Sequence, residues 1–109
     1  MTGVYDMSYR ATSKWNEENE LRCLLIFKKL QRESFSRGKQ MEYCREMSVE
    51  SQLDSRNISA KVGNYKSVAG VNRPSNASHN TIDIYSKYGH LSTEALDDII
   101  NKYRKVIHF

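Results

Sequence analysis

Cysteine is scarce in this sequence, and its two positions exclude a metal site. Cys23 and Cys44 are far apart, with neither the Cys-x-x-Cys spacing nor the clustered histidines that bind zinc. Both thiols lie within helix-like apolar patterns, where a cysteine behaves as a small apolar residue. We expect two buried free thiols in a reducing compartment in preference to a disulfide, which the sequence also allows.

Long apolar runs and targeting signals are also missing. The longest uncharged apolar run covers residues 24–27, far fewer than a membrane span requires. The first ten residues lack the basic region followed by an apolar stretch that marks a secretory signal. We therefore expect a cytoplasmic protein that does not enter a membrane.

Proline and glycine are few, and their positions favour helices. The single proline, Pro74, and four of the five glycines fall at the edges of segments. Apolar residues between these edges recur at spacings of three and four. The fold class predicted is all-α: one domain over residues 1–109, a compact bundle of about five helices with a helix-turn-helix-like core. Short β pairing by residues 1–7 is an alternative for that segment alone.

Capping residues and apolar stripes give the approximate helix bounds. Starts are expected near Asn16, Lys39, Asp54 or Ser55, Thr81 and Ser92, and the third helix should cover about 55–69. Predicted buried positions are Ile58, Val62 and Tyr65 in the third helix and Ile82 and Tyr85 in the fourth. Gly63 inside the third helix indicates a close backbone approach, to a neighbouring helix or to a ligand.

The net charge of +4 comes from one third of the chain. Residues 56–90 hold five Lys or Arg and one Asp, whereas the segments before and after are each balanced. A local surplus of this kind is what a polyanion-binding face requires. An ordinary solvated surface explains it equally well.

The third helix has the composition of a DNA recognition helix. A tight turn precedes it, and its polar side contains Arg56, Asn57, Ser59, Lys61, Asn64 and Lys66. A helix fits the major groove, where arginine can read guanine and asparagine can read adenine. We expect Arg56 and Asn57 near base edges and Lys61, Lys66 and Arg73 on phosphates. The alternative is the polar solvent face that every surface helix has.

The loop after this helix supplies further polar groups. Its candidate contacts are Asn72, Arg73, Ser75 and Asn76, which could form a phosphate clamp. Turn geometry alone also explains proline and asparagine at these positions.

Histidines occur in an order that His-Asn-His nucleases use, but the surrounding pattern is wrong for catalysis. His79 and Asn80 lie at a loop-to-helix boundary, and His90 follows a helix end, with no accompanying cluster of carboxylates. We expect no catalytic residue, no metal and no cofactor.

Two short motifs resemble those of a known helical module. Residues 15–18, Trp-Asn-Glu-Glu, and residues 61–65, Lys-Val-Gly-Asn-Tyr, are followed by a Gly-Val-Asn-Arg-Pro-Ser step at 70–75. Over residues 14–88 the chain resembles the N-terminal module of bacterial HNH-type restriction endonucleases. The resemblance implies an accessory module for DNA recognition, with Lys61, Asn64 and the 72–75 step as its polar residues. Arg56 departs from that pattern, since a small residue is usual there, and no nuclease domain accompanies the module, so cleavage is not implied.

Two functions from different classes follow from these patterns. The first is a non-catalytic double-stranded DNA-binding protein of a restriction-modification or phage-defence system. The second is an interaction protein that regulates or inhibits a larger system of that kind. The amphipathic C-terminal segment, residues 91–109, would also suit a homodimer that reads palindromic DNA.

Overall fold

The fold consists of helices throughout the part of the chain that is described. The computed structural model describes residues 15–71 and 77–107, with side chains as far as residue 103. It contains α1 (Glu17–Arg32), α2 (Lys39–Ser51), α3 (Ser55–Val68), α4 (His79–Tyr88) and α5 (Thr93–Ile107). No strand occurs within those ranges, so the all-α class is confirmed. The β pairing considered for residues 1–7 lies outside the described residues.

Side-chain caps explain where most of the helices begin. A side-chain oxygen accepts a hydrogen bond from a first-turn backbone N–H in four helices: Asn16 in α1, Asp54 in α3, Ser78 in α4 and Ser92 in α5. Such a cap satisfies donors that have no partner within the helix. The predicted starts of α1, α3 and α5 are confirmed. Helix α4 begins two residues before the predicted Thr81, because Ser78 caps it.

Helix α1 is the central element of the bundle, and each of the other four packs against it. It is buried over most of its circumference, and α2 packs on α3 and α3 on α4 around it. The three residues predicted to be buried in α3 are fully buried, as expected: Ile58, Val62 and Tyr65. The central position of α1 leaves α3 at the periphery, with one face on the core and the other toward solvent.

The inward face of α4 differs from the sequence prediction at one position. Ile82 is 44% exposed, whereas Ile84 and Thr81 are fully buried. The prediction for Ile82 is therefore wrong, while Tyr85 does pack against the core, as expected. Because α4 docks through positions 81, 84 and 85, residue 82 lies at the edge of the docked face, where solvent reaches it.

Both cysteines are free and buried, as the sequence predicts. The Cys23 thiol lies 3.9 Å from the sulfur of Met47. Burial raises the pKa of Cys23 well above its usual value, and the nearby charge of Glu20 raises it further. Burial likewise raises the pKa of Cys44. Both sulfurs are therefore held as unreactive thiols within the core.

No helix in the described ranges has the length and apolar character needed to span a lipid bilayer.

Candidate nucleic-acid interface

Helix α3 follows α2 after a connection of three residues, 52–54. Gln52 adopts a left-handed conformation with φ of 64°, which ends α2 and reverses the chain direction. Leu53 is buried and fixes the turn to the core. Asp54 then caps α3, accepting from the Arg56 backbone N–H at 2.7 Å. A short connection anchored at both ends sets the position of α3 relative to α2.

The outer face of α3 is narrow, polar and free of carboxylates. Helix α3 contains three cations and no acidic residue. Arg56, Asn57 and Ala60 are exposed, and Gly63 and Asn64 are half-buried on the same side. We refer to these five residues as the outer α3 face. The small side chains at its centre allow another molecule to approach the helix backbone.

Arg56 is the most exposed cation of α3, but it has a carboxylate partner. Its side chain is 86% exposed, and Nη2 lies 3.3 Å from an Asp54 carboxylate oxygen. Hydrogen bonds from the Arg56 side chain and backbone lower the pKa of Asp54, and the same side-chain contact raises the pKa of Arg56. The guanidinium can still reach an external anion, although Asp54 offsets part of its charge.

Lys61 points into the molecule and not toward solvent. Its ammonium lies 2.8 Å from Oε2 of Glu20, which is itself 1% exposed, and 3.1 Å from Oγ1 of Thr81. The Lys61 side chain is only 12% exposed. This lysine neutralises a buried carboxylate, and we therefore remove it from the predicted phosphate contacts.

Two more side chains of the core complete this buried polar network. The Tyr65 hydroxyl donates to Oε1 of Glu20 at 2.7 Å. The Lys61 ammonium also lies 4.7 Å from the centre of the Trp15 ring. Two residues of the Lys-Val-Gly-Asn-Tyr motif thus join α3 to α1. Sequence reasoning missed Glu20, although its spacing from Leu24 and Phe27 places this carboxylate on the apolar stripe of α1.

Ser59 and Lys66 both contact α2 by hydrogen bonds to one residue, Gln40. The side-chain N–H of Gln40 donates to the Ser59 hydroxyl at 2.9 Å, and the Lys66 ammonium donates to Gln40 Oε1 at 2.6 Å. The ammonium also lies 5.3 Å from the centre of the Phe35 ring. These partners carry no charge, so the positive charge of Lys66 is not neutralised by them. Ser59 is used in holding α2 and α3 together.

Gly63 has open space beside it. A Cβ built at this position would meet nothing within 4 Å. Of the two explanations that its position in the sequence suggests, a neighbouring helix is therefore wrong. Close approach by a ligand stays a prediction.

Of the remaining predicted DNA contacts, two are described by the structure and four are not. Asn57 is exposed and Asn64 half-buried. The loop candidates Asn72, Arg73, Ser75 and Asn76 lie outside the described residues, as does any clamp they form.

The histidines do not gather at one place with other potential ligands. His79 pairs with Asp83 one turn further along α4, with 3.3 Å between Nε2 and the carboxylate oxygen. Across residues 15–71 and 77–107, no group of three or more His, Cys, Asp or Glu side chains is arranged to hold a metal ion. Among the described residues, the outer α3 face presents the Arg56 guanidinium and the amides of Asn57 and Asn64, with the Lys66 ammonium beside it.

No family model, curated protein or solved structure matches the chain. The likeness to the restriction-endonuclease module therefore stays a prediction from the two sequence motifs.

Proposed function

We propose that the protein is a non-catalytic double-stranded DNA-binding protein that places α3 in the major groove. The observation that carries the proposal is the outer α3 face, where Arg56 and Asn57 are exposed on a helix of 14 residues without an acidic residue, with the uncompensated charge of Lys66 beside it. A helix about 10–12 Å wide fits a groove about 12 Å wide. The connection of three residues between α2 and α3 has the length found in helix-turn-helix motifs and supports the proposal.

The proposed DNA contacts are assigned to side chains that the fold leaves available to another molecule. Arg56 and Asn57, in the first turn, face base edges, and Asn64 reaches a base or the backbone further along the groove. Lys66 supplies a phosphate contact from the edge of the helix, and Arg73 supplies another from the loop. Neither Lys61 nor Ser59 is included, because both are used inside the fold.

The proposed setting rests on the sequence motifs. They support a cytoplasmic protein of a bacterial or phage restriction-modification or defence system, acting without a metal or cofactor. If the DNA site is palindromic, two copies joined through α5 would match its symmetry.

The first experiment measures duplex binding as a function of salt. Fluorescence anisotropy with a mixed-sequence duplex is compared for the wild type and for Arg56→Ala combined with Lys66→Gln, which keeps an N–H donor for Gln40. The one lost phosphate contact, that of Lys66, should make the slope of log K against log salt shallower by about 0.9, and loss of Arg56 should lower the affinity further. Single-stranded DNA and RNA serve as competitors and should compete less well than duplex.

The matched control is Lys102→Ala, an exposed cation on α5, which packs against α1 and not against α3. It should leave both affinity and slope close to those of the wild type. Equal slopes for the wild type and the α3 double variant would contradict the proposal.

Gly63→Ala tests close approach to the helix backbone. The added methyl meets no protein atom, so the variant should fold well and yet bind duplex more weakly, by about 1 kcal/mol or more. Ala60→Ser, on the same face, serves as the control. It should weaken duplex binding less than Gly63→Ala does, because the added hydroxyl can form a hydrogen bond with DNA. Unchanged affinity for Gly63→Ala would mean that the outer α3 face does not enter the major groove of DNA.

A second candidate function is a protein-binding module that regulates a larger assembly. It is favoured by a groove between α2 and α5 with exposed carboxylates at its edges. A complex with a protein partner that persists at a salt concentration high enough to abolish duplex binding would support this function over DNA binding.

A further inference from the structure

A groove interrupts the layer of helices around α1. Going around α1, α2 packs on α3, α3 packs on α4, and a short turn joins α4 to α5. Helices α2 and α5, by contrast, are separated by a cavity of about 480 Å³, which shares the lining residues Lys29, Tyr43 and Asp97 with a second of about 340 Å³. We call these two cavities the α2–α5 groove.

The floor of the α2–α5 groove is formed by the apolar side of α1. Leu25 and Ile26 line it and retain 8% and 6% exposure, whereas Leu24 and Phe27, under the other helices, have none. Val49 stands on the α2 edge with 83% of its surface exposed. Since the floor is nearly closed, Val49 supplies most of the aliphatic surface that an occupant of the groove would remove from water.

The edges of the groove are acidic in a protein that is basic as a whole. Among the described residues, five carboxylates and three cations line it. The three cations have partners within the fold: Arg22 pairs with Glu18 and Glu50, Arg32 with Glu94, and the Lys29 ammonium lies 5.5 Å from the centre of the Tyr43 ring. Glu46 on α2 and Asp97 on α5 are exposed and form no salt bridge with a described residue. Opposite edges of the groove thus offer carboxylates to a cationic occupant.

The groove has the length of a helix and not the shape of a compact ligand site. Its α1 lining extends from Arg22 to Arg32, about 15 Å along the helix axis. That distance is about three turns of a second helix lying beside α1. An amphipathic helix binds such a groove through apolar residues at positions i, i+3, i+4 and i+7.

We propose that the α2–α5 groove binds an amphipathic α-helix of a partner protein, with Lys or Arg flanking its apolar stripe. The stripe contacts Leu25, Ile26 and Val49, and the flanking cations face Glu46 and Asp97. Helix α3 packs against α1, α2 and α4, so the outer α3 face lies on another side of the molecule. The groove can therefore be occupied whether or not α3 binds DNA.

A pair of labelled peptides tests the proposal on the full chain. Each is an alanine-rich peptide of about 14 residues with leucines at i, i+3, i+4 and i+7, and the two differ only in having Lys or Glu beside the leucines. Fluorescence anisotropy should show the Lys peptide binding about tenfold or more tightly than the Glu peptide at low salt. The preference should decrease as salt screens the exposed carboxylates.

Two variants of the protein test whether the peptide binds in the α2–α5 groove. At a salt concentration that screens the added carboxylate, Val49→Asp should weaken binding of the Lys peptide about tenfold through lost apolar contact. Glu46→Lys combined with Asp97→Lys should reverse the preference in favour of the Glu peptide. The matched control is Ile82→Asp, the replacement of an exposed isoleucine on α4, which should bind like the wild type. Arg56→Ala should also bind the peptide normally, and this separates the groove from the DNA proposal.

Three results would overturn the proposal. The first is equal affinity for the two peptides, and the second is no binding of the Lys peptide up to millimolar concentration. The third is a wild-type dimer in sedimentation that Val49→Asp dissociates, which would assign the groove to a second copy of this chain.

Discussion

At the scale of single residues, the most consequential contact is the buried pair of Lys61 and Glu20. A buried charge is tolerated only when a partner neutralises it and hydrogen bonds satisfy its remaining atoms. Glu20 receives the Lys61 ammonium on one oxygen and the Tyr65 hydroxyl on the other. Since the three residues come from α1 and α3, the network also fixes the relative position of those helices.

Lys61→Met should destabilise the protein by about 3–5 kcal/mol, because it leaves the Glu20 carboxylate buried without its cation. Urea unfolding followed by circular dichroism measures the change. Adding Glu20→Gln to the same variant removes the unpaired charge and should recover most of the loss. If the two substitutions changed the free energy of unfolding additively, the proposed coupling between Lys61 and Glu20 would be contradicted.

Two glycines should respond in opposite ways to alanine. Gly63 lies within α3 with open space around it, so Gly63→Ala should raise the free energy of unfolding by about 0.5–1 kcal/mol. Gly38 has φ of 85° before α2, where a Cβ is strained, so Gly38→Ala should lower it by about 1 kcal/mol. Thermal unfolding of the two variants under one condition checks both signs. A stabilised Gly38→Ala would contradict the strain assigned to that position.

At the scale of elements, α3 depends on Asp54 for its start. The carboxylate accepts from the backbone N–H of Arg56 and pairs with the side chain of the same residue. These hydrogen bonds lower the pKa of Asp54. Because the folded pKa is below the unfolded one, this contribution is complete above the unfolded pKa of about 4 and is lost as pH falls through the folded value.

Asp54→Asn should therefore reduce the acid sensitivity of the protein. Asparagine also caps helices well, so the variant should be less stable than the wild type at neutral pH and approach it as pH falls below the unfolded pKa of about 4 toward the lower folded pKa of Asp54. Thermal unfolding from about pH 7 to about pH 3 measures the difference. A constant gap between the two proteins at all pH values would contradict the assignment.

At the scale of the whole molecule, the core is continuous around α1, and both thiols lie within it. Cys23 and Cys44 are fully buried, on α1 and α2 respectively. Because burial raises the pKa of each, neither forms the reactive thiolate at neutral pH. Their reactivity therefore reports on opening of the bundle.

Neither thiol should react with Ellman's reagent in the folded protein near neutral pH, and both should react once urea unfolds the chain. The rates should follow the unfolding transition observed by circular dichroism. Val49→Cys supplies a matched exposed thiol, because position 49 is 83% exposed, and that thiol alone should react at once in the native state. Rapid reaction of Cys23 or Cys44 in the wild type would mean that the core opens locally.

The helix class, most of the helix starts and the buried side of α3 are determined by the sequence itself. Caps such as Asn16 and Asp54 act within one turn, and the spacing of Ile58, Val62 and Tyr65 is a local property of a helix. Local patterns of this kind can be read directly from neighbouring residues.

The role of Lys61 and the existence of the α2–α5 groove were decided only by the tertiary structure. From sequence, Lys61 is one of several cations beside Arg56 and Lys66, whereas its partner Glu20 lies 41 residues earlier in the chain. The groove is likewise a gap between two helices that pack against a third. Neither a partner this distant nor an unfilled position around α1 leaves a local pattern, because both depend on how the helices pack in three dimensions.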